Sequence, residues 1–249
     1  MPRLALVTGG HRRLGGVIAA HLAEAGYALA IHGSHDTGLD PHLGEVMARH
    51  DTHWQGFVAD FVDPGSAEVL MRDVISGFGR APDLLVNSAA MFGQDRLETV
   101  SAGELANHYA VNCMAPVLLT QAFARQAGVE DRSIVNILDQ RLAHPHGDQL
   151  AYTLAKQALA GFTQISAREL APAIRVNAVA PGLTIATAEY EEAQVGRLAA
   201  MMPLGRLPLP AQIAEAVLYL ARAGAVTGQV IAVDGGAHMQ SYSRDFLHM

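Results

Sequence analysis

The chain has little cysteine, little charge and few aromatic residues, and these shortages exclude several classes of protein. Its one cysteine, Cys113, cannot form an internal disulfide or a cysteine-based zinc site. Charged residues make up 16% of the 249 residues and hydrophobic residues 50%, which excludes a disordered chain. With 17 basic and 24 acidic residues, the net charge of −7 gives no sign of nucleic-acid binding.

Long apolar runs and metal-binding motifs are also missing. No uninterrupted apolar run approaches the ~18 residues of a membrane span. Because strand-like sequence begins at Arg3, we expect no signal peptide. The twelve histidines form no His-Glu-x-x-His motif and no Cys/His cluster, so we expect no metal site. We therefore predict a cytoplasmic protein with a single domain over residues 1–249.

Short apolar runs alternate with longer helical patterns along the whole chain. Several of these runs are almost wholly apolar rather than alternating, as in parallel strands covered on both faces. The pattern predicts an α/β doubly wound (Rossmann) fold, with a parallel seven-stranded sheet and helices on both faces in three αβα layers. Strands are predicted at 4–7, 28–31, 54–58, 84–86, 133–138, 175–179 and 229–233, and helices at 14–25, 40–50, 64–78, 101–126, 150–171 and 211–223.

Local signals refine this prediction. Asp63 before Pro64 indicates a helix N-cap, and Ser101 with Glu104 forms a capping-box pattern. Residues 183–209 break the alternation and are rich in Met, Glu, Pro and Gly, so we predict a mobile substrate lid there. Residues 240–249 extend past the last strand, as a tail that either frames a neighbouring subunit's site or is disordered.

A glycine-rich turn joins the first predicted strand to the first helix. Residues 8–16 read Thr-Gly-Gly-His-Arg-Arg-Leu-Gly-Gly. Glycines let the backbone approach a pyrophosphate, and the N–H groups at the positive helix end attract it. The strand–turn–helix context favours dinucleotide binding over a simple chain reversal. The predicted contacts are Gly9, Arg12, Arg13, Leu14 and Gly15.

The end of the second strand indicates which dinucleotide binds. The sequence from His32 to His35 lacks the carboxylate that would hold a ribose 2′-hydroxyl. Arg12, Ser34 and His35 are available to a 2′-phosphate, which favours NADPH/NADP. Asp36 runs against this prediction, because a carboxylate pointing inward would repel that phosphate.

Tyr152 and Lys156 form the catalytic pattern. They lie four residues apart in a helical segment, so both side chains share one face. A nearby ammonium lowers the pKa of a phenol, which makes Tyr152 a usable proton donor near neutral pH. Such pairs are common on exposed helix faces, but this one follows the fifth strand, where strand ends face the cofactor.

Taken together, these motifs resemble those of the short-chain dehydrogenase/reductases, in the same order, from residue 3 to about residue 237. The resemblance implies that Tyr152 is the acid/base, that Lys156 holds the nicotinamide ribose and tunes Tyr152, and that Asn112 holds the local backbone and a proton-relay water. It also implies a homotetramer, with interfaces on the long helices at 101–126 and 150–171. The implied cofactor-lining residues are Asn87, Ser88 and Ala89, Asp60 at the adenine, and Pro181, Gly182 and Thr184 near the nicotinamide.

Two departures from the common family pattern are similar to the pteridine reductases. Arg13 stands where the family usually has Gly, and Asp139, thirteen residues before Tyr152, stands where it usually has Ser. Phe92 falls where pteridine reductases stack the pterin against the nicotinamide. The Val-Asp-Gly-Gly-Ala-His stretch near the carboxyl end suggests bacterial dihydromonapterin reductases. Ala90 departs from this subgroup, because many of its members have Ser there.

The chemistry of Asp139 supports the subgroup. Ketone reduction builds negative charge on oxygen, which a neutral donor such as Ser stabilises and a carboxylate opposes. Reduction of a C=N bond requires protonation of nitrogen, which an Asp–Tyr pair can relay. The flat face and polar edge of a pterin suit Phe92 and Arg13. We therefore predict NADPH-dependent reduction of a dihydropterin or folate such as dihydromonapterin, dihydrobiopterin or dihydrofolate.

Other interpretations remain open. The chain could be a carbonyl reductase of a 3-oxoacyl thioester, sugar or small ketone with Asp139 protonated, or a non-catalytic NADP-binding sensor. Asp139 could be only a loop residue or N-cap, Arg13 a solvated charge, and Phe92 ordinary core. His144 and His146 either touch the substrate or lie on the surface.

Overall fold

The computed structural model describes residues 1–126, 131–186 and 190–249. The seven strands are β1 Leu4–Val7, β2 Ala28–Gly33, β3 Trp54–Val58, β4 Leu84–Asn87, β5 Arg132–Ile137, β6 Ile174–Pro181 and β7 Val230–Val233. They form one parallel sheet in the order β3-β2-β1-β4-β5-β6-β7. The doubly wound seven-stranded sheet is therefore confirmed.

Helices cover both faces of the sheet. They are α1 Arg13–Glu24, α2 Pro41–Arg49, α3 Ser66–Phe78, α4 Ala102–Tyr109, α5 Ala115–Ala124, α6 Leu150–Glu169, α7 Glu192–Met201 and α8 Pro210–Arg222. In β1, Ala5 and Val7 pack with residues of α1, α2 and α8. Leu4 and Leu6 pack with residues of α3, α5 and α6 on the other face. Because both faces of β1 are buried, its sequence is continuously apolar, and the three-layer prediction is confirmed.

The helix predicted over residues 101–126 is interrupted. The capping box predicted at Ser101 and Glu104 starts α4, but a π-helical turn at Ala110–Met114 separates α4 from α5. Pro116 lies in the first turn of α5. Since proline has no N–H, the carbonyl of Asn112 has no α-helical donor at position i+4, which accounts for the break.

Two further expectations need correction. Asp63 does not cap α3, because its Oδ1 accepts the N–H of Gly65 at 3.0 Å and the helix begins only at Ser66, with Gly65 as N-cap. The segment 183–209 contains the regular helix α7, which was not predicted from the sequence. Leu198 of α7 is buried among apolar residues. Residues 187–189 of the predicted lid lie outside the described residues.

The carboxyl-terminal tail, residues 240–249, folds back on its own chain. Tyr242 and Phe246 are buried in a small apolar cluster with Leu198 and Met202. The structure therefore contradicts the expectation of a disordered tail, while the alternative of a tail that frames a neighbouring subunit's site stays a prediction. Its short 3-10 helix is Phe246–His248.

Within the three described ranges, no helix has both the length and the apolar content needed to cross a membrane.

Candidate active site

The predicted site residues follow the carboxyl ends of successive strands. In a parallel sheet these ends lie along one edge, and ligands bind there at the point where strand order reverses. Here the reversal lies between β1 and β4. Along this edge, the glycine turn follows β1, Ser34 follows β2, Asp60 follows β3, Asn87 ends β4, Asp139 follows β5 and Pro181 ends β6.

Close backbone packing in the glycine turn requires its glycines. Gly9 has φ +62°, and a Cβ there would lie 3.0 Å from the Cα of Ala89. A Cβ on Gly15 would lie 2.1 Å from the carbonyl oxygen of Gly9. Arg12 and Arg13 are exposed at the start of α1. A helix amino terminus with exposed cations and no side chain blocking the backbone fits a pyrophosphate.

Thr8 joins this turn to the end of β4. Its Oγ1 accepts hydrogen bonds from the N–H groups of Ser88 and Ala89, both at 3.0 Å. The predicted cofactor-lining segment 87–89 is therefore held directly against the glycine turn.

His32 is hydrogen-bonded to the glycine turn, a role that was not predicted from the sequence. The N–H of Gly9 donates to its Nδ1 at 3.1 Å, and its Nε2 lies 2.8 Å from the carbonyl oxygen of Ala59. This pattern assigns a neutral ring with the proton on Nε2. Burial lowers the pKa of His32 to about 4. The signal in the sequence that could have indicated this role was a histidine within a buried strand beside a glycine turn.

The residues predicted to face the 2′-phosphate are open to solvent. Ser34 and His35 are exposed just after β2. Asp36 is exposed too, and its Oδ1 accepts the N–H of Gly38 at 3.0 Å. Asp60 is likewise exposed, with its Oδ1 accepting the N–H of Val62 at 3.0 Å. The structure does not bring these residues into contact with the catalytic group, and their contacts to a nucleotide stay predictions.

Asn87 belongs to a chain of buried side-chain hydrogen bonds that runs from β4 to β5 and α6. Its Nδ2 donates to Oδ1 of Asn136 at 2.8 Å, and Asn136 Nδ2 donates to Oγ1 of Thr163 at 2.9 Å. Among the described residues, the buried Oδ1 of Asn87 has no hydrogen-bond partner. That unsatisfied acceptor fits a role for Asn87 in lining a ligand.

The loop after β6 is also tied to the sheet. Gly182 N–H donates to the carbonyl of Val233 at 3.0 Å, and the Thr184 hydroxyl donates to the carbonyl of Gly182 at 2.8 Å. Pro181 and Thr184 thus lie at the same edge as the glycine turn.

The centre of the site is a hydrogen bond between Tyr152 and Asp139. The Tyr152 hydroxyl, on α6, donates to Asp139 Oδ2 at 3.0 Å, and Tyr152 is only 6% exposed. Asp139 Oδ1 accepts the N–H of Arg141 at 2.9 Å. One carboxylate oxygen therefore caps the short 3-10 helix Gln140–Ala143, while the other receives the phenol.

The charges around Tyr152 correct one prediction. Burial raises the pKa of Tyr152 well above its ordinary value, and the negative Asp139 raises it further. Lys156 donates to the carbonyl of Ile137 at 2.6 Å, and its Nζ lies 5.8 Å from the centre of the Tyr152 ring. The expected lowering of the Tyr152 pKa by Lys156 is therefore wrong for this arrangement, and Tyr152 keeps its proton at neutral pH.

Lys156 itself is almost completely buried. Burial lowers its pKa to about 8, although the charge of Asp139 acts in the opposite direction. Its ammonium is therefore retained at neutral pH and lost a little above it.

Asn112 lies in the π-helical turn and holds the strand-end loop. Its Oδ1 accepts the N–H of Met91 at 3.0 Å, and its Nδ2 donates to the Met91 carbonyl at 2.9 Å. This double hydrogen bond fixes the backbone beside Phe92.

Phe92 lies at the mouth of the site. Its ring is 52% exposed and meets the Tyr152 ring edge to face, with centroids 4.8 Å apart. Phe92 is therefore not ordinary core. Arg141, which sequence reasoning missed, lies over both rings, 5.3 Å from the centre of Tyr152 and 5.5 Å from that of Phe92.

Arg13 does not contact the group formed by Tyr152, Asp139 and Phe92. It is exposed, and no hydrogen bond or ion pair joins it to any residue in the described ranges. Its contact with a pterin stays a prediction.

Among the described residues, Cys113, His144 and His146 make no hydrogen bond to the Tyr152 hydroxyl, although His146 lies close enough to Arg141 and Asp139 to interact with their charges. Cys113 is buried, and burial raises the pKa of its thiol. His144 and His146 line a small cavity between their loop and the tail. In the described ranges, no three His, Cys, Asp or Glu side chains cluster as metal ligands.

Comparison with known proteins identifies the family. The family model described as enoyl-(acyl carrier protein) reductase matches residues 10–238. The chain therefore belongs to the short-chain dehydrogenase/reductase family and is an NAD(P)-dependent oxidoreductase.

Individual relatives have different substrates. The chain is 34% identical to a 3alpha-hydroxysteroid dehydrogenase of Mediterraneibacter gnavus, covering 94% of this chain and 96% of the relative. It is 32% identical to the 3-oxoacyl-[acyl-carrier-protein] reductase FabG of Pseudomonas aeruginosa, covering 95% and 98%. Among solved structures, the FolM alternative dihydrofolate reductase 1 of Brucella suis, in complex with NADP, superposes with a TM-score of 0.83 at 31% identity, covering 98% of both chains. The oxidoreductase prediction is confirmed, while these relatives leave the substrate class open.

Proposed function

We propose that the protein is an NADPH-dependent reductase of dihydropterins or of a related pteridine or folate. The observation that carries this proposal is the hydrogen bond from the buried Tyr152 phenol to Asp139, beside the half-exposed ring of Phe92. The likeness to a FolM alternative dihydrofolate reductase supports the same substrate class.

The proton chemistry follows from this geometry. Bound NADPH supplies a hydride, which goes to the carbon of a C=N bond. Tyr152, protonated at neutral pH, donates its proton to the adjacent ring nitrogen. Asp139 then returns a proton to the phenolic oxygen, having taken it from solvent, and a carboxyl in this position suits a relay to nitrogen. Phe92 offers a flat apolar face to the pteridine ring.

The preference for NADPH over NADH rests on the loop after β2. Arg12, Ser34 and His35 are exposed and provide one cation and two further hydrogen-bonding side chains for a 2′-phosphate. Asp36 Oδ1 accepts the N–H of Gly38 at 3.0 Å, which holds this carboxylate within its own exposed turn.

A homotetramer also belongs to this proposal. α4 and α6 carry large exposed apolar side chains, including Tyr109, Leu154 and Ile165. Burial of these side chains against a second copy would stabilise an assembly.

The deciding experiment measures NADPH consumption with dihydromonapterin, dihydrobiopterin and dihydrofolate side by side, against a 3-oxoacyl thioester and a ketosteroid. We expect turnover of at least one dihydropterin or folate, and its loss in Tyr152→Phe. Fast turnover of ketones with none of the pteridines would overturn the proposal.

The second candidate is carbonyl reduction, which the 3-oxoacyl reductase and hydroxysteroid dehydrogenase relatives favour. In that case Asp139 would have to be protonated, and Asp139→Ser should increase ketone turnover. For a pteridine reductase, the same change should decrease pteridine turnover.

A further inference from the structure

Arg141 is a buried cation beside the catalytic pair, and the reaction described above does not use it. It is 7% exposed, and its Nε lies 3.4 Å from Asp139 Oδ1. Its guanidinium also lies over the Tyr152 ring. Because buried N–H groups need partners, the partners of Arg141 decide where its charge is placed.

A second carboxylate partner of Arg141 comes from the carboxyl-terminal tail. Arg141 Nη2 donates to Asp245 Oδ2 at 2.8 Å, and Nη1 donates to Oε1 of Gln149. Asp245 is 5% exposed, and its Oδ1 accepts the N–H of Leu247 at 2.9 Å. The tail therefore supplies a buried carboxylate to the catalytic group.

Other contacts hold the tail in place without Arg141. The Gln194 side-chain amide, on α7, donates to the carbonyls of Phe246 at 2.9 Å and Leu247 at 3.1 Å. Tyr242 and Phe246 pack with Leu198 of the same helix. These contacts bring Asp245 to Arg141.

Arg141 lies between two carboxylates, with Nε 3.4 Å from Asp139 Oδ1 and Nη2 2.8 Å from Asp245 Oδ2. If Asp245 lost its charge, Nη2 of Arg141 would lose its partner in a medium of low dielectric. The other carboxylate that Arg141 contacts is Asp139, and a closer approach would compete with Tyr152 for that carboxylate.

We propose that Asp245 is a positioning residue of the active site, which engages Arg141 so that Asp139 keeps its hydrogen bond with Tyr152. This inference depends on the proposed function in one respect only, namely which reaction Tyr152 and Asp139 perform. The charged or titratable groups facing the phenol and Arg141 are Asp139, Lys156, Asp245 and His146, with Asp148 and Arg244 behind them.

The first test observes the phenol directly and needs no substrate. The protein is labelled with 3-fluorotyrosine, and the Tyr152 fluorine resonance is assigned by its loss in Tyr152→Phe. Asp245→Asn should shift that resonance and lower the pH at which it titrates, since a negative charge near the phenol is removed. Asp245→Glu, which restores the charge, should return the titration toward the wild type.

Glu192→Gln is the matched control. Glu192 is exposed in the first turn of α7, the helix that holds the tail, and the substitution also removes one negative charge. It should leave the Tyr152 resonance unchanged. An unchanged resonance in Asp245→Asn, or an equal shift in both variants, would overturn the inference. NADPH binding, followed by fluorescence, shows that each variant is folded.

The second test uses turnover. In Asp245→Asn, kcat for the dihydropterin should fall between about tenfold and 10²-fold, as for a misplaced catalytic group, with KM for NADPH unchanged. Glu192→Gln should keep the wild-type kcat, and an equal loss there would contradict a positioning role. If the wild type reduces no dihydropterin, the proposed function fails, while the fluorine titration still decides the role of Asp245.

Discussion

Protonation of His32 should destabilise the folded protein, and the size of the effect follows from its burial. His32 accepts the N–H of Gly9 through Nδ1, so a second proton there would replace the acceptor with a donor. Burial lowers its pKa from 6.5 to about 4. At about 1.36 kcal/mol for each pKa unit, this amounts to about 3 kcal/mol of folding free energy.

The direction follows from which state binds the proton. Between pH 6.5 and about 4, the unfolded chain protonates His32 and the folded chain does not, so acid favours unfolding. The contribution is fully present above pH 6.5 and falls by about 2 kcal/mol at pH 5.

Urea unfolding at pH 7 and pH 5 measures this effect. His32→Asn cannot titrate in this range, so its stability relative to the wild type should improve by about 2 kcal/mol between the two pH values. His50→Asn, at an exposed histidine after α2, is the control and should keep the wild-type pH dependence. If His32→Asn and the wild type lose stability in parallel, the buried neutral histidine is not the cause.

Four further predictions test the site. Tyr152→Phe should lower kcat by at least about 10²-fold, as expected for a positioned proton donor, and near-normal turnover would exclude that role. Arg13→Ala should weaken dihydropterin binding by roughly 1.5–3 kcal/mol in calorimetry, and unchanged affinity would exclude a direct contact. Because burial lowers the pKa of Lys156 to about 8, the ammonium predicted to hold the nicotinamide ribose is lost above that pH, and kcat/KM should decline there with a midpoint near 8; a flat profile to pH 10 would contradict this. Gly15→Ala should weaken NADPH binding in a fluorescence titration by at least about tenfold, since its Cβ would meet the Gly9 carbonyl; wild-type binding would show that the turn can adapt.

The sheet could be predicted from the sequence because its strands are buried on both faces. Continuous apolar runs such as Leu4–Val7 are typical of such strands. The π-helical turn could not be predicted, since Pro116 also suits the start of an ordinary helix. The helix α7 was missed although Val195, Leu198 and Met202 follow a helical spacing, because Gly196 and the flanking prolines suggested a loop.

Only part of the catalytic group could be predicted from the sequence. Tyr152 and Lys156 are close in sequence, and Asp139 is marked by its offset from Tyr152. The raised pKa of Tyr152 depends on burial, which no spacing shows. The contact between Arg141 and Asp245 joins residues 104 positions apart and depends on how the tail folds.

The Thr8 hydroxyl joins two loops of the predicted nucleotide site. With two amide donors on its oxygen, and its own hydrogen directed to the Val86 carbonyl at 3.4 Å, Thr8 has no bonding capacity left for a ligand. A pyrophosphate at this turn would therefore contact groups other than the Thr8 hydroxyl. Because one hydroxyl bonds the loop after β1 to the loop after β4, neither loop can shift alone without breaking these hydrogen bonds.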